Sequence, residues 1–373
     1  MLKLDISTIF VHIEVKDDPI TGTILAHYNN IPVSICDNIH QAYDNIRLSN
    51  DPVQAGKRHL ILCKNNGEFI KKCPGTKSYI CCGYQILHFA GYCNMDCSYC
   101  ILQTYFHPPV LQYFVNHDRL FEELDKILQS RHPQMHRIGT GEFTDSLIWE
   151  GLTDLTSQLI SRFACQDHAI LELKTKTVNI KALKHSNHCR KTIIAWSLNT
   201  PFIIKTQERH TTPLLSRLKA AAQCQTWGYP LAFHFDPIVI YDGCEIEYES
   251  VIHELFSYVS PDSIVWISLG TFRYMPGLKT IIQNRFPDSK IIYEEHILGL
   301  DSKFRYLQSI RINIYEVIVK TIRTYAPGCC IYFCMENQTI WKHIFGFIPE
   351  DPNGLAKLLD QSAAKHCGIK INS

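Results

Sequence analysis

No stretch of about 18 consecutive apolar residues occurs anywhere in the chain, which excludes a conventional membrane-spanning helix. The opening segment MLKLDISTIFVHIEV lacks a sizeable apolar core followed by a small-residue cleavage site, so it does not read as an export signal. A cytoplasmic location is therefore expected. Charge of one sign is missing too: the formal net charge is +1, with no acidic or basic tail. Nucleic acid, if it is a ligand, must be held by a local basic patch and not by the overall field. Repeats, low-complexity runs and obvious linkers are also absent, so composition marks no domain boundary.

What is present is an ordinary globular composition, 46% hydrophobic and 20% charged over 373 residues. That length suits one large α/β domain with an appendage, or two ordinary domains. The 16 cysteines are the unusual feature. In a reducing compartment a dense cysteine set points to a metal site more readily than to a disulfide framework. Cys36, Cys63, Cys165, Cys224 and Cys244 stand singly among apolar residues and read as core packing.

From residue 134 onward, short β-rich apolar runs alternate with helical patterns, as a parallel sheet wrapped by helices requires. The candidate strands are 134–139, 168–174, 192–198, 230–240, 263–270, 290–298 and 329–335. They contain few alternating polar positions, which fits strands covered on both faces. In 245–260, Val251, Ile252, Leu255, Phe256 and Val259 share a helical face; in 211–226, Thr212 and Pro213 supply an N-cap and first-turn proline ahead of Leu214, Leu215 and Leu218. Before them, Ile9 to Val15 and His59 to Cys63 read as strands and Asn38 to Leu48 as a helix, an N-terminal extension packed on a complete or partial barrel.

The strongest motif is GYCNMDCSYC, residues 91–100, which spaces Cys93, Cys97 and Cys100 as C-x3-C-x2-C after the apolar run Tyr79 to Phe89. A compact loop of this kind can wrap three thiolates around one face of a cubane cluster while leaving one iron open. An open iron can bind a cofactor; a closed four-cysteine cluster suits electron transfer. The alternative is a zinc loop completed by His88 or His107, although structural zinc usually draws its ligands as two separated pairs. Cys73, Cys81 and Cys82 stand close before the loop. If Cys81 and Cys82 occupy a strand, their side chains point to opposite faces and cannot readily serve one site, so packing is the simplest reading.

The C-x3-C-x2-C spacing, with the aromatic Tyr99 before its last cysteine, resembles the radical S-adenosylmethionine superfamily. The longer string CPGTKSYICCGYQILHFAGYCNMDCSYCILQTYF is similar to the spore photoproduct lyase family, and the similarity continues through RIGTGEFTDSL, LKTKT, AWSLNT, GYPLAFHFDPI and GTFRYMPGL. The resemblance implies an α/β fold: an incomplete parallel (β/α)6 barrel over residues 76–345, after an N-terminal α/β extension over 1–75 and before a tail over 346–373 packed on the barrel. It implies a [4Fe-4S] cluster on Cys93, Cys97 and Cys100, and S-adenosylmethionine at the carboxyl ends of the strands. A reduced flavodoxin- or ferredoxin-type donor would supply the electron that splits the cofactor into methionine and a 5'-deoxyadenosyl radical. In the lyases that radical takes a hydrogen from a thymine photoproduct in DNA.

For the cofactor, the resemblance points to Tyr99, Glu142 and Thr144 in GTGEFT, Lys176 for the methionine carboxylate, Ser197 and Asn199 in SLNT, and His234 and Asp236 in FHFDP. Helix-capping turns and solvated or capping groups at strand ends are the competing readings of these positions. Two departures bear on the reaction. Glu142 falls where the family has its hydrogen-donating cysteine, and Ile101 replaces a tyrosine expected directly after Cys100. Cys329, Cys330, Cys334 or a tyrosine such as Tyr99 would then return the hydrogen, or the substrate differs: an RNA base, a peptide or a small metabolite. Damaged DNA would need a basic surface at the barrel mouth, with Lys71, Lys72, Arg190, Lys191, Lys303, Arg305 and Arg311 as candidates.

Overall fold

The computed structural model describes residues 4–75, 78–130, 135–350 and 354–369. Its main sheet sets eight strands side by side in chain order: Ile70–Lys72, Gln85–Leu87, His136–Gly139, Ala169–Thr175, Thr192–Ser197, Leu231–Ile238, Ile264–Thr271 and Ile331–Phe333. The first pair is antiparallel and every later pair is parallel. The two edge strands are not partners of each other, so the curled sheet stays open. From His136 onward its six parallel strands form the expected incomplete (β/α)6 barrel.

Local sequence explains these elements. Every residue of Thr192–Ser197 and of Ile264–Thr271 is buried, as a strand with one face on packed helices and the other toward a filled interior must be. The helix Cys244–Tyr258 buries Val251, Ile252 and Leu255, the stripe that its 3.6-residue period set out. No helix among the described residues is long and apolar enough to cross a membrane.

Several expectations are corrected. The run 290–298 is not a barrel strand: only His296–Leu298 is extended, in a small antiparallel sheet with Phe304–Tyr306 and Arg273–Tyr274, while Ile291 and Ile292 are buried in turns. Thr212 is not the N-cap of its helix, which begins at Leu214 with Pro213 as the capping residue; the Thr212 hydroxyl donates instead to the Lys176 carbonyl at 2.7 Å. The first strand spans Thr8–His12, and a short 3-10 turn takes Ile13–Val15. The strand expected over 134–139 is seen as His136–Gly139, residue 134 lying outside the described residues.

The N-terminal segment forms a second sheet in the order Val33–Cys36, Thr8–His12, His59–Cys63, Leu111–Phe114, Ala90–Gly91. Two of its five strands come from beyond residue 75, on either side of the cysteine loop. At the other end of the chain the helix Gly354–Cys367 lies on Ile264–Thr271, fixed by an Arg137–Asp360 ion pair of 2.8 Å and by Lys191, which donates to the carbonyls of Cys367 and Gly368.

Gly139 ends its strand under the Tyr84 ring. A Cβ there would fall 1.4 Å from the tyrosine oxygen and 2.4 Å from Cζ. Gly139→Ala is therefore expected to destabilise the fold by about 1–3 kcal/mol through forced displacement of Tyr84. Thermal unfolding checks it, and an unchanged midpoint contradicts it.

Candidate functional site

The carboxyl ends of the barrel strands open onto a cavity of about 340 Å³, within the range of small-molecule sites. Cys93, Cys97 and Cys100 share its wall with Tyr99, Glu142, Thr144, Lys176, Ser197, His234, Asp236 and Cys334. These groups come from six separate stretches of sequence, brought together because parallel strands end at one rim.

The cysteine loop is held from every side. From the N-terminal unit, Lys57 donates to the carbonyls of Cys93 and Met95, lies 3.5 Å from the Asp96 carboxylate and covers the Tyr92 ring. Gln103 donates to the carbonyls of Cys97, Ser98 and Cys100. Arg285 joins Asp96, Asp51 and Gln103. Asp96–Cys97 pairs as a two-residue strand with Glu208–Arg209.

Behind the loop lies a buried charge network. Glu208 accepts from the Tyr99 hydroxyl and, at 2.5 Å, from Arg217, with the Lys176 ammonium 3.9 Å away. Burial pushes the Glu208 carboxyl up, but Arg217 and Lys176 outweigh it and hold the group below its ordinary range. Lys176 is pulled down by burial and raised on balance by Glu208 and Cys97. Its ammonium sits 5.2 Å over the Tyr99 ring.

A second network lies across the cavity. Glu142 forms an ion pair with Lys174, which burial lowers and Glu142 and Glu172 more than restore. His234 is braced by Ser268 at 2.6 Å on Nδ1, with the Glu172 carboxylate 3.2 Å from Nε2. Asp236 is clamped by both terminal nitrogens of Arg273, each at 3.1 Å, and Arg273 also donates to the Cys334 sulfur at 3.4 Å. Thr144 accepts from the Trp149 indole at 2.8 Å. At Gly141 a Cβ would stand 2.8 Å from the Lys174 Cβ and 3.0 Å from its carbonyl oxygen, so only glycine lets the 140–145 turn pass this close.

Three expected residues are not brought to the cavity. The Asn199 side chain donates to the Pro237 carbonyl and accepts from the Tyr248 hydroxyl and the Thr200 amide, which ties the strand ends together. Cys329 and Cys330 precede the Ile331–Phe333 strand and Cys334 follows it, so they sit at opposite ends of that strand, roughly 13 Å apart along the chain. Lys191 and Arg190 likewise precede their strand and lie at the far end of the barrel. Sequence reasoning missed Lys57, Lys174, Glu172, Glu208, Arg217 and Arg273. Glu172 and Lys174 left a readable signal: they stand four and two residues before Lys176 and so on the same strand face.

The donors present fit an iron–sulfur cluster. Three free thiols of one loop face one cavity. Among the described residues no group of three or more His, Cys, Asp or Glu side chains is arranged to hold a single metal ion. Burial pushes the Cys93 thiol up to about 12, and burial raises Cys97 too, with Lys176 opposing it. Loading metal would therefore displace protons from both.

Residues 72–333 match the family model described as spore photoproduct lyase. The chain belongs to the spore photoproduct lyase family. It is accordingly a radical S-adenosylmethionine lyase. Family members similar to it include the spore photoproduct lyase of Bacillus subtilis (strain 168), 29% identical over 255 residues, or 66% of this chain and 74% of that one. The lyase of Clostridium acetobutylicum is 26% identical over 212 residues, 56% of this chain and 62% of that one. The fold matches a spore photoproduct lyase double mutant solved with bound AdoMet and dinucleoside spore photoproduct, at a TM-score of 0.78 and 20% identity, covering 89% of this chain and 99% of that chain.

Proposed function

We propose that this family member holds a [4Fe-4S] cluster on Cys93, Cys97 and Cys100, binds S-adenosylmethionine in the adjoining cavity, and repairs a thymine photoproduct in DNA. The observation that carries the reading is the single cavity lined by all three loop thiols and by the polar ends of the strands. When bound, cluster and cofactor supply a 5'-deoxyadenosyl radical able to take hydrogen from the substrate, after an electron arrives from a flavodoxin- or ferredoxin-type donor.

The chain's own residues place and shield that chemistry. Lys57, Gln103 and Arg285 fix the thiol loop. Glu142 and Lys174 offer a carboxylate and an ammonium to the amino acid end of the cofactor, and Ser197 offers a hydroxyl. Lys176 would take the methionine carboxylate, its ammonium also offsetting thiolate charge at Cys97. Phe143, Phe272 and Tyr332 line the cavity and limit water around a reactive radical.

Of the basic residues expected at the barrel mouth, Lys303 lies on the cavity wall, 3.9 Å from Asp301, and the wall's other cations, Lys174, Lys176 and Arg273, each stand beside a carboxylate. Arg305 and Arg311 are buried, paired with Asp301 and Glu336. A short salt slope follows: about one to three phosphate contacts, so log affinity should fall with log salt at a slope near −1 to −3. A fluorescence titration with ultraviolet-treated oligonucleotide at several salt concentrations checks this, and a slope steeper than about −6 contradicts it.

The deciding experiment incubates the anaerobically reconstituted, reduced protein with S-adenosylmethionine and dinucleoside spore photoproduct. Release of thymine residues alongside 5'-deoxyadenosine is expected. Cofactor cleavage with no repair, and deuterium passing into 5'-deoxyadenosine from an RNA, peptide or metabolite instead, would overturn the substrate assignment. The Glu142–Lys174 pair, standing where the family's donor thiol would be, is the observation that favours this second reading.

A further inference from the structure

Outside the cysteine loop, three thiols reach the cavity wall among the described residues: Cys73, Cys82 and Cys334. Cys334 is engaged by Arg273, and the Cys73 sulfur takes the Gly75 amide hydrogen. Cys82 differs from both because its immediate chain neighbour, Cys81, is a second thiol. The segment from Cys81 to Gly83 lies outside the named strands, just before Gln85–Leu87. Among the described residues Cys82, but not Cys81, lines the cavity.

The backbone holds the pair in place. Arg137, anchored by Asp360, donates to the Cys82 carbonyl at 2.6 Å. Gly75, at φ +42, leaves room for the Cys81 sulfur; a Cβ there would stand 3.0 Å from it. Cys82 faces the cavity and Cys81 lies behind it. The neighbouring Cys81 thiol, and then burial, push the Cys82 thiol up, while the Cys82 side chain and the Gly83 amide bring Cys81 down.

We propose that Cys82, backed by Cys81, is a vicinal dithiol that donates a hydrogen atom to a carbon radical formed in the cavity. This rests on the radical reading above. In the first step the Cys82 S–H bond breaks, a C–H bond forms on the substrate, and a thiyl radical remains on Cys82. The thiyl sulfur then bonds to the Cys81 thiolate, giving a sulfur–sulfur bond with one excess electron. That electron passes to the oxidised form of a one-electron carrier, a flavin or viologen, and a neutral disulfide is left. A dithiol reductant restores both thiols with two electrons and two protons. Adjacent Cα atoms stand about 3.8 Å apart, short of the roughly 4.4–6.8 Å of ordinary disulfides, so the oxidised pair is strained and easily reset.

Two measurements test this on the full-length chain. First, mild diamide oxidation followed by alkylation should leave the chymotryptic peptide Ile80–Tyr84, which contains no other cysteine, two hydrogens lighter and unalkylated. Full alkylation of both thiols after oxidation overturns the proposal whatever the cofactor chemistry. Second, the reconstituted enzyme is run with dinucleoside spore photoproduct in D2O containing methyl viologen, so that exchangeable thiol deuterium marks the product. Cys82→Ala should lower deuterium in the product at least tenfold while 5'-deoxyadenosine still forms. Cys81→Ser should keep the label through one turnover and leave no disulfide. Label retained in Cys82→Ala, or lost only in Cys334→Ala, overturns the proposal. A wild-type protein that forms no 5'-deoxyadenosine overturns the radical reading and this proposal with it.

Discussion

Cys97→Ala should yield a folded chain that assembles no iron–sulfur cluster and forms no 5'-deoxyadenosine. The fold should survive because the loop is held by its backbone and its neighbours: Cys97 pairs with Glu208 along the chain, its carbonyl receives Gln103, and Lys57 and Arg285 fix the residues around it. Exchanging a thiol for a methyl group at this buried position should cost about 1 kcal/mol. The cluster should not survive, because two thiolates cannot grip three irons. Iron and sulfide analysis, read beside the thermal midpoint, separates the two effects. Retained cofactor cleavage would contradict the ligation.

Glu208→Ala should damage the fold more than any single change at the cavity wall. Arg217 is 0% exposed and Glu208 3%, so removing the carboxylate leaves a buried guanidinium without its counter-charge and takes a partner from Tyr99 and Lys176 as well. Breaking such a pair costs about 3–5 kcal/mol. Chemical denaturation would measure it, and a loss below about 1 kcal/mol would show that the network is dispensable. The pH dependence has a definite sign. Because the carboxyl is held below its ordinary value of 4.5 in the folded chain, its contribution is present above that value and fades as pH falls through the lower, folded one. In Glu208→Gln that acid-limb loss should shrink.

How much of this was legible in the sequence depends on the distance over which each feature is written. The strands around Thr192–Ser197 and Ile264–Thr271 are local apolar runs, and the cysteine spacing is a local motif, so both could be read directly. Residues 290–298 misled because four β-branched or aromatic residues within a few positions look like a strand; Ile291 and Ile292 are in fact buried singly in turns, and Ile297 and Leu298 lie on the surface. Thr212 misled because the hydroxyl suited to a cap met a nearer acceptor, the Lys176 carbonyl. Lys57 with the loop carbonyls and Arg285 with Asp96 could not be read at all: each joins positions that only the folded chain makes neighbours, and a lone lysine or arginine in a sequence carries no mark of its partner. The same holds for the place of Cys82 on the cavity wall, beside groups from residues 142, 172 and 334.

The strands on either side of the cysteine loop, Ala90–Gly91 and Leu111–Phe114, belong to the sheet built by the first 63 residues, and Lys57, at the end of the helix Pro52–Gly56 just before that sheet's His59–Cys63 strand, reaches into the loop itself. The amino-terminal unit is thus a cradle on which the metal-binding segment is mounted at both ends. Trimming it away would expose the hydrogen-bonding edge of Leu111–Phe114 and unseat the thiols together, so iron occupancy and the integrity of the first strands should rise and fall as one.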